Sequence, residues 1–441
     1  MKKFYGDDLL LNSPYAETIY AQVKDLPIID YHCHLGQRKI AENAEVSDIG
    51  ELWLSGDHYK WRAMRLCGVE ERYITGDASY HDKFVKYAQI VPLLAGNPLY
   101  YWTHMELKQI FGINEPLCSE SAERIYNAAN KTLRSLRVRD LLKKYKVEYV
   151  ATTDDPCDDL SAHGNYGGTE VAPTFRPDKA YHPIEYTAKL EKAVGRSITT
   201  VAEYLNALIE RLDYFVSKGC KITDHGFERF PSEYADDDTA EKLFGRRDTW
   251  AQKEQEQFFG WLLCKLTREY GKRGLIMQIH FAVVRNNNGE MFGKCGADSG
   301  FDLIGEPQYV KDIIEFFNRV SDGERPLTVL YTLNDSNLSA IAAVTGAFRN
   351  VRMGAALWFN DTVEGIRRNL ETIAEYSRLG TNFGMLTDSR SFSSYARFDF
   401  FRRILADYLG KLADSGEYPI ESAIQTAKDI CYHNIKGALG L

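Results

Sequence analysis

The sequence lacks the features that would direct a chain to a membrane or to an oxidising compartment. It contains no run of about 18 apolar residues, so we expect no transmembrane helix. Residues 1–8 are charged and include no apolar segment of signal-peptide length. The eight cysteines are scattered, without a Cys-x-x-Cys pair or a disulfide-type spacing. We therefore expect reduced thiols and a cytoplasmic protein.

An excess of positive charge is also missing. The chain has 54 basic and 62 acidic residues, a formal net charge of −8, which argues against a nucleic acid or a membrane surface as its partner. Its 441 residues are 44% hydrophobic and 26% charged, an ordinary globular composition with enough apolar material for a large core. Internal repeats and low-complexity tracts are absent as well.

The most informative segment is an apolar run at residues 26–35, which predicts a buried strand. Side chains alternate along a strand, so His32 and His34 should point to the same side. Two imidazoles that converge at the carboxyl end of a strand suit a divalent metal. The alternative is a pair of histidines on a half-exposed strand.

The rest of the chain predicts a (β/α)₈ barrel of the TIM type. Ser13 and Pro14 begin a helix that extends to about residue 24. Residues 36–146 have helical patterns only, which predicts a helical insertion after the first strand. We divide the chain into 1–35 (helix and first strand), 36–146 (insertion lobe) and 147–441 (the remaining barrel and C-terminal helices). With the first strand, seven further apolar runs alternate with helical stretches: 147–153, 171–175, 220–223, 275–281, 327–333, 352–359 and 382–386.

In such a barrel the chemistry lies where the strands end. Asp388 follows the last run and is close to the first strand once the barrel closes, so it can join His32 and His34 at one metal. His280 is either a fourth ligand or a nearby proton donor. The alternatives are an N-cap for Asp388 and a hydrogen-bonded strand-end histidine for His280.

Arginines and an aromatic residue also follow the predicted strands. Arg176, Arg285 and Arg390 could together bind an acidic substrate, because guanidinium groups pair with carboxylates in a bidentate way. Each could instead form an ordinary loop salt bridge. Trp358 could stack on a ligand or pack the insertion against the barrel.

These segments, taken in order, resemble the uronate isomerases of the amidohydrolase superfamily. The individual motifs are short, but their order along residues 25 to 392 is specific. They are Ile29-Asp-Tyr-His-Cys-His34, Gly56-Asp-His-Tyr-Lys-Trp-Arg62, Phe175-Arg-Pro-Asp178, His280-Phe, Arg285-Asn-Asn-Asn288, Gly300-Phe-Asp302, Trp358-Phe-Asn-Asp361 and Leu386-Thr-Asp-Ser-Arg390.

The resemblance implies a barrel with one divalent metal, usually Zn²⁺, and interconversion of D-glucuronate with D-fructuronate and of D-galacturonate with D-tagaturonate. It implies catalytic roles for four residues and substrate contacts for five. The catalytic residues are Asp388, Tyr59, Arg390 and His280, and the substrate contacts are His58, Arg176, Trp358, Arg285 and Asp224.

Two departures from the wider superfamily concern the metal site. Asp224 stands where many hydrolases have a bridging lysine, and Asn334 stands where they have a histidine, which argues against a two-metal hydrolase. A one-metal amidohydrolase or deaminase remains the alternative function, and a sugar-acid-binding protein is a second one. We also expect a homo-oligomer.

Overall fold

The computed structural model describes residues 2–46, 48–308 and 310–441. Its eleven strands, in chain order, are β1 Ile28–Asp30, β2 Val147–Ala151, β3 Gly164–Tyr166, β4 Thr169–Ala172, β5 Thr174–Phe175, β6 Ile222–Gly226, β7 Ile276–Phe281, β8 Val283–Val284, β9 Leu303–Ile304, β10 Leu327–Thr332 and β11 Val351–Met353.

Parallel pairing dominates the two larger sheets, as expected for an α/β fold. One sheet has the order β1-β2-β4-β3 and the other the order β11-β10-β7-β6-β5, and only β3 runs antiparallel to its neighbour. Backbone bonds join the two sheets, since Asp154 N donates to Thr174 O at 3.1 Å and Arg176 N donates to Asp154 O at 3.0 Å. Strands β8 and β9 form a separate antiparallel pair.

Helices connect and cover the strands. The α-helices are Pro14–Val23, Gln37–Ala41, Ile49–Leu54, His58–Leu66, Tyr80–Ile90, Pro98–Phe111, Ala122–Leu133, Val138–Lys144, Pro183–Val194, Val201–Ser217, Asp237–Phe244, Gln252–Lys272, Gly289–Cys295, Val310–Arg319, Leu338–Ala347, Val363–Tyr376, Ala396–Asp414, Ile420–Lys428 and Asn434–Leu439. Short 3₁₀ turns span Glu71–Tyr73, Val91–Leu93, Asp178–Tyr181, Asp335–Asn337, Trp358–Asn360 and Leu379–Thr381, and Asp429–His433 forms a π-helical turn. None of the helices in the described ranges is long and apolar enough to cross a membrane.

The predicted α/β class is confirmed, and seven of the eight predicted runs contain a strand. The predicted N-terminal helix is present, and the Ser13 hydroxyl accepts a hydrogen bond from Ala16 N at 3.1 Å. The eighth predicted strand is wrong, because residues 382–386 form no strand in the described chain. Gly384 has φ +66, and an added Cβ there would lie 2.4 Å from Ile430 O. The run bends against the π-helical turn instead of extending.

Inward-facing side chains from both larger sheets form one cluster. It includes Ile29, Tyr149, Ile222 and Val329, each at most 2% exposed. Polar bonds also cross this interior, where Tyr31 O accepts from Gln278 Nε2 at 3.0 Å, and Gln278 Oε1 accepts from the Tyr331 hydroxyl at 2.7 Å. These side chains pack in the interior that the two sheets share, as in a TIM-type α/β fold.

The insertion helices share their core with other parts of the chain. Trp53 and Phe84 belong to the same buried cluster as Ile28 of β1 and Phe398 of the helix Ala396–Asp414. The same region buries an ion pair, in which Lys60 Nζ lies 2.6 Å from Asp57 Oδ2 and both side chains are at most 5% exposed. The insertion therefore packs directly on β1, the strand that precedes His32 and His34.

Replacing Lys60 by methionine should lower the free energy of unfolding by about 3–5 kcal/mol, because it leaves the Asp57 carboxylate buried without its partner. Denaturant titration measures the loss. Lys131 lies exposed on a helix of the same insertion, so Lys131→Met should change the value by about 0.5 kcal/mol or less. Equal effects of the two changes would contradict a stabilising role for the buried pair.

Candidate active site

The ends of β1 and of the eighth run meet through backbone hydrogen bonds. Asp388 N donates to His32 O at 3.1 Å, and His34 N donates to Ser389 O at 2.9 Å. Asp388 itself has φ +46, a left-handed conformation that is costly for a residue with a side chain. The surrounding bonds hold this conformation, which directs the carboxylate toward the two imidazoles.

His32, His34 and Asp388 converge, but both histidines lie beyond β1, which ends at Asp30, so the strand predicted over residues 26–35 is shorter than expected. Asp388 Oδ1 lies 3.1 Å from His32 Nε2 and 3.1 Å from His34 Nε2. Burial opposes the charge of Asp388, but the bonds from the two imidazoles outweigh it and hold its pKa well below the usual range. Burial lowers the pKa of His34 to about 4 despite the neighbouring carboxylate. The pair therefore combines an ionised carboxylate with a neutral imidazole at neutral pH.

A second carboxylate lies on the other side of His32. Asp224 is fully buried, and its oxygens lie 3.5 Å from His32 Nδ1 and 3.1 Å from His280 Nε2. Burial again opposes its charge, but His280, Arg176 and His32 hold its pKa well below the usual range. Sequence reasoning placed Asp224 among substrate contacts and did not predict its grouping with His32 and His280. The signals were its position at a strand end and its place where many hydrolases have a bridging lysine.

The donor set fits a divalent metal. The potential ligand atoms of His32, Asp224 and His280 lie within 4.8 Å of one another, and so do those of His32, His34 and Asp388. In the described chain, His32 Nδ1, Asp224 Oδ1 and His280 Nε2 are buried, and although each lies 3.1–3.5 Å from another group of the cluster, none of these approaches has hydrogen-bond geometry. Such atoms are costly unless a ligand occupies them. Neutral imidazoles and carboxylates are also the ligands expected for Zn²⁺ and similar ions.

Asp30 anchors the segment that carries Asp388. Its carboxylate accepts hydrogen bonds from Thr387 N at 2.9 Å and from the Thr387 hydroxyl at 2.6 Å. Asp30 is fully buried at the end of β1, so its hydrogen bonds connect the end of β1 to the segment that carries Asp388. Sequence reasoning gave Asp30 no role, although it lies in the Ile29–His34 motif.

The three predicted arginines separate into two groups. Arg176 Nη1 lies 3.0 Å from Asp224 Oδ2, and Arg176 Nε lies 2.7 Å from Asp178 Oδ2. Its guanidinium is thus bound to two buried or half-buried carboxylates. Arg176 therefore adds a cationic side chain to the cluster formed by Asp224, His32 and His280.

Arg390 and Arg285 lie together, and both pair with the carboxylate of Asp298. Arg390 Nη2 is 3.0 Å from Asp298 Oδ2, and Arg285 Nη1 is 3.8 Å from Asp298 Oδ1. Arg285 also lies 5.5 Å from the ring centre of Trp358. One carboxylate thus pairs with both guanidinium groups, which shows that the pair can receive an anionic group. Asp298 was not predicted from the sequence.

The insertion supplies an imidazole and a phenol to the same region. Asp57 caps the helix His58–Leu66 by accepting from Tyr59 N at 3.0 Å and from Lys60 N at 3.2 Å, which fixes the first turn. The rings of His58 and Tyr59 stack at 5.2 Å, and the His58 ring lies 5.3 Å from that of Trp358. Burial, followed by the charge of Arg390, lowers the pKa of His58 and keeps it neutral.

A cavity between the insertion and the barrel loops is lined by several of these groups. Its walls include His58, Tyr59, Trp358 and Asp361, with Gly300 from the segment after β7. The structure therefore places the residues for which a site role was predicted in two regions. One is the buried imidazole and carboxylate cluster, and the other is this cavity with Arg285 and Arg390 beside it.

Comparisons with known proteins agree with one family. The family model for glucuronate isomerase (UxaC) matches residues 1–438. The uronate isomerase of Caldicellulosiruptor saccharolyticus is 38% identical over 464 aligned residues, which cover 100% of both chains.

Solved structures give the same result. The uronate isomerase of Thermotoga maritima superposes with a TM-score of 0.96 at 33% identity and covers 99% of this chain and 100% of its own. The glucuronate isomerase of Caulobacter crescentus has a TM-score of 0.92 at 26% identity and covers 99% and 97%. Matches of this extent, on a site with these groups, show that the chain belongs to the uronate (glucuronate) isomerase family of aldose–ketose isomerases.

Proposed function

We propose that this enzyme interconverts D-glucuronate with D-fructuronate and D-galacturonate with D-tagaturonate by proton transfer through an enediol. The observation that carries the proposal is the ionised Asp388 carboxylate, whose Oδ1 lies 3.1 Å from the imidazoles of both His32 and His34. Burial raises the pKa of the Tyr59 phenol, which lines the cavity, the charge of Asp388 raises it further, and Arg390 follows Asp388 by two residues. Aldose–ketose isomerisation needs this combination, because a base must act on carbon while fixed donors stabilise the developing oxygen charge.

Asp388 is the proposed base. It takes the proton from C2 of the aldose and returns it to C1, so the sugar gains and loses no atoms overall. Its low pKa keeps it ionised and able to accept a proton at neutral pH. Tyr59 and Arg390 stabilise the negative oxygen of the enediolate, and His280 is a further proton donor at the same cluster.

The remaining predicted residues position the substrate. Arg285 lies where a sugar carboxylate can replace Asp298 as a partner, and Trp358 offers an aromatic face beside it. The His58 imidazole is neutral and stacks on the ring of Tyr59, so it can donate a hydrogen bond to a sugar hydroxyl group or accept one from it. Arg176 and Asp224 bound the opposite side of the site.

One divalent metal, Zn²⁺, is the proposed cofactor. His32, His34 and Asp388 would hold it, with His280 as a further ligand, and it would supply Lewis-acid polarisation of the substrate oxygens. Asp224 is an additional candidate ligand, since it groups with His32 and His280.

We also propose a cytoplasmic homo-oligomer. All eight cysteines are free in the structure, which supports a reducing compartment. Light scattering coupled to size exclusion measures the assembly directly, and elution at the mass of one chain would contradict it.

The test of function is a proton NMR time course with D-glucuronate in D₂O. We expect D-fructuronate with deuterium at C1, because a base shared with solvent exchanges its proton during the transfer. Ketose without deuterium would instead indicate a shielded proton or a hydride shift. An unchanged sugar would contradict the proposal and favour a one-metal amidohydrolase or deaminase, an alternative that the full-length matches do not favour.

A further inference from the structure

A buried carboxyl group lies behind the proposed tyrosine. Asp361 follows the turn Trp358–Asn360 and is 2% exposed. Its Oδ2 lies 3.3 Å from the Tyr59 hydroxyl. Its Oδ1 is buried and has no hydrogen-bond partner in the described chain. The contact with the Tyr59 hydroxyl is therefore the side-chain hydrogen bond that the structure describes for the Asp361 carboxyl group.

The cationic side chain beside Asp361, that of Arg397, does not form a short ion pair with it. Arg397 Nη1 is 4.0 Å from Asp361 Oδ2 and donates instead to Thr387 O at 2.9 Å. The Arg397 guanidinium lies over the ring of Trp102 at 3.9 Å and near the ring of Tyr59 at 5.0 Å. Arg397 thus links the segment that carries Asp388 to the insertion and leaves the carboxyl group facing the phenol.

We propose that Asp361 is a positioning residue for Tyr59, and that a proton held on its carboxyl group turns the phenol hydrogen toward the reacting sugar oxygen. The protonated carboxyl group donates to the Tyr59 oxygen, so the hydrogen of the phenol is free for the substrate. The ionised carboxylate accepts that hydrogen instead and removes the donor. The inference rests on the proposed isomerase function and deepens it, because it identifies the group that controls Tyr59.

The electrostatic surroundings of Asp361 support this role. Burial raises its pKa to about 8, against the opposing charge of Arg397, while Asp388 raises it further and the Tyr59 contact lowers it. The proton is thus mostly present at pH 7 and is lost as the pH rises through about 8. Activity should consequently fall on the alkaline side, by about tenfold between pH 7 and pH 9.

The test variant is Asp361→Asn, because an amide of the same size keeps an N–H donor toward the phenol at every pH. We expect kcat at pH 7 to stay within about fivefold of the wild type and the alkaline fall near pH 8 to disappear. In the Tyr59→Phe background, Asp361→Asn should cause no further change in the pH profile. A merely structural residue would not remove one limb of the profile.

The matched control is Asp154→Asn. Asp154 is also 2% exposed, and its carboxylate contacts Thr152, Thr174 and His163, none of which has a proposed site role. Its backbone carbonyl accepts from Arg176 N, and the substitution leaves that bond in place. This variant should keep both the wild-type rate and the alkaline limb. Thermal unfolding of all variants shows whether each remains folded.

Two outcomes would overturn the inference. One is an unchanged alkaline limb in Asp361→Asn, and the other is a folded Asp361→Asn enzyme with activity lost at every pH. Carbon-13 NMR of the aspartate carboxyl groups in the free enzyme provides a test that needs no substrate, with the Asp361 signal assigned by its loss in the variant. A midpoint near pH 8 in an enzyme that converts no uronate would mean that the proposed function had failed and not the titration of Asp361.

Discussion

Replacing Asp388 by asparagine should lower kcat by about 10³-fold or more, with the fold unchanged. The amide keeps the size of the side chain but cannot accept the C2 proton, and the other ionised carboxylate of the described cluster is less accessible. Asp224, the other acid of the cluster, is fully buried, whereas the Asp388 side chain is 12% exposed. Ketose formation and loss of the C2 proton, both followed by NMR, measure the effect.

A second acid at a strand end is the matched control. Asp335 lies after β10, is half exposed and pairs with Arg368, so Asp335→Asn should stay within about twofold of the wild type. Because Asp388 is also a candidate metal ligand, bound metal is measured in the same samples. Retained metal with turnover within tenfold of the wild type would contradict the role of Asp388 as base.

Replacing His32 by asparagine should abolish metal binding and lower kcat by about 100-fold. His32 belongs to both of the candidate metal groups, with Asp224 on one side and Asp388 on the other, so its loss disrupts both at once. Elemental analysis of the purified protein should fall from about one divalent ion per chain to nearly none. This readout is independent of turnover.

His104 provides a matched control for the loss of a buried imidazole. It is 2% exposed in the insertion helix Pro98–Phe111, where its Nε2 accepts from Leu117 N at 3.0 Å. His104→Asn should change stability while leaving the metal content as in the wild type. Full metal content in His32→Asn would contradict the assigned site, and lost metal with full turnover would contradict the Lewis-acid role.

The Asp388 and His32 variants distinguish the loss of the catalytic base from the loss of the metal site. Asp388 and His32 touch each other, so their effects should not add independently. The distinguishing measurement is exchange of the C2 proton with solvent. An enzyme without metal but with Asp388 intact should still exchange slowly, whereas an enzyme without the carboxylate should not.

Local sequence patterns determined much of this protein. The sequence predicted that His32 and His34 point to the same side, and although β1 ends at Asp30, the Nε2 atom of each lies 3.1 Å from Asp388 Oδ1. The Ser13 cap and the succession of apolar runs predicted the first helix and the α/β class. Such features depend on neighbours within a few residues, which the sequence displays directly.

Other features depended on contacts between distant segments. The run at 382–386 has the composition of a strand, but Gly384 packs against the Ile430 carbonyl and the chain bends. Nothing near Arg176 in the sequence shows that Asp224 lies 3.0 Å away, and nothing near Tyr59 points to Asp361, which is 302 residues further along the chain.

The sequence by itself determined the family and the helices of residues 36–146, because these follow from the order of short motifs and from periodicity, and it predicts the metal-binding imidazoles and the base. Only the tertiary structure decided which carboxylate each cation meets, which buried atoms are left for a metal, and which carboxyl group meets the phenol. The physical reason is that the charge and hydrogen bonding of a buried side chain are set by whatever packs against it. In this chain those partners come from strands, loops and an insertion that are far apart in the sequence.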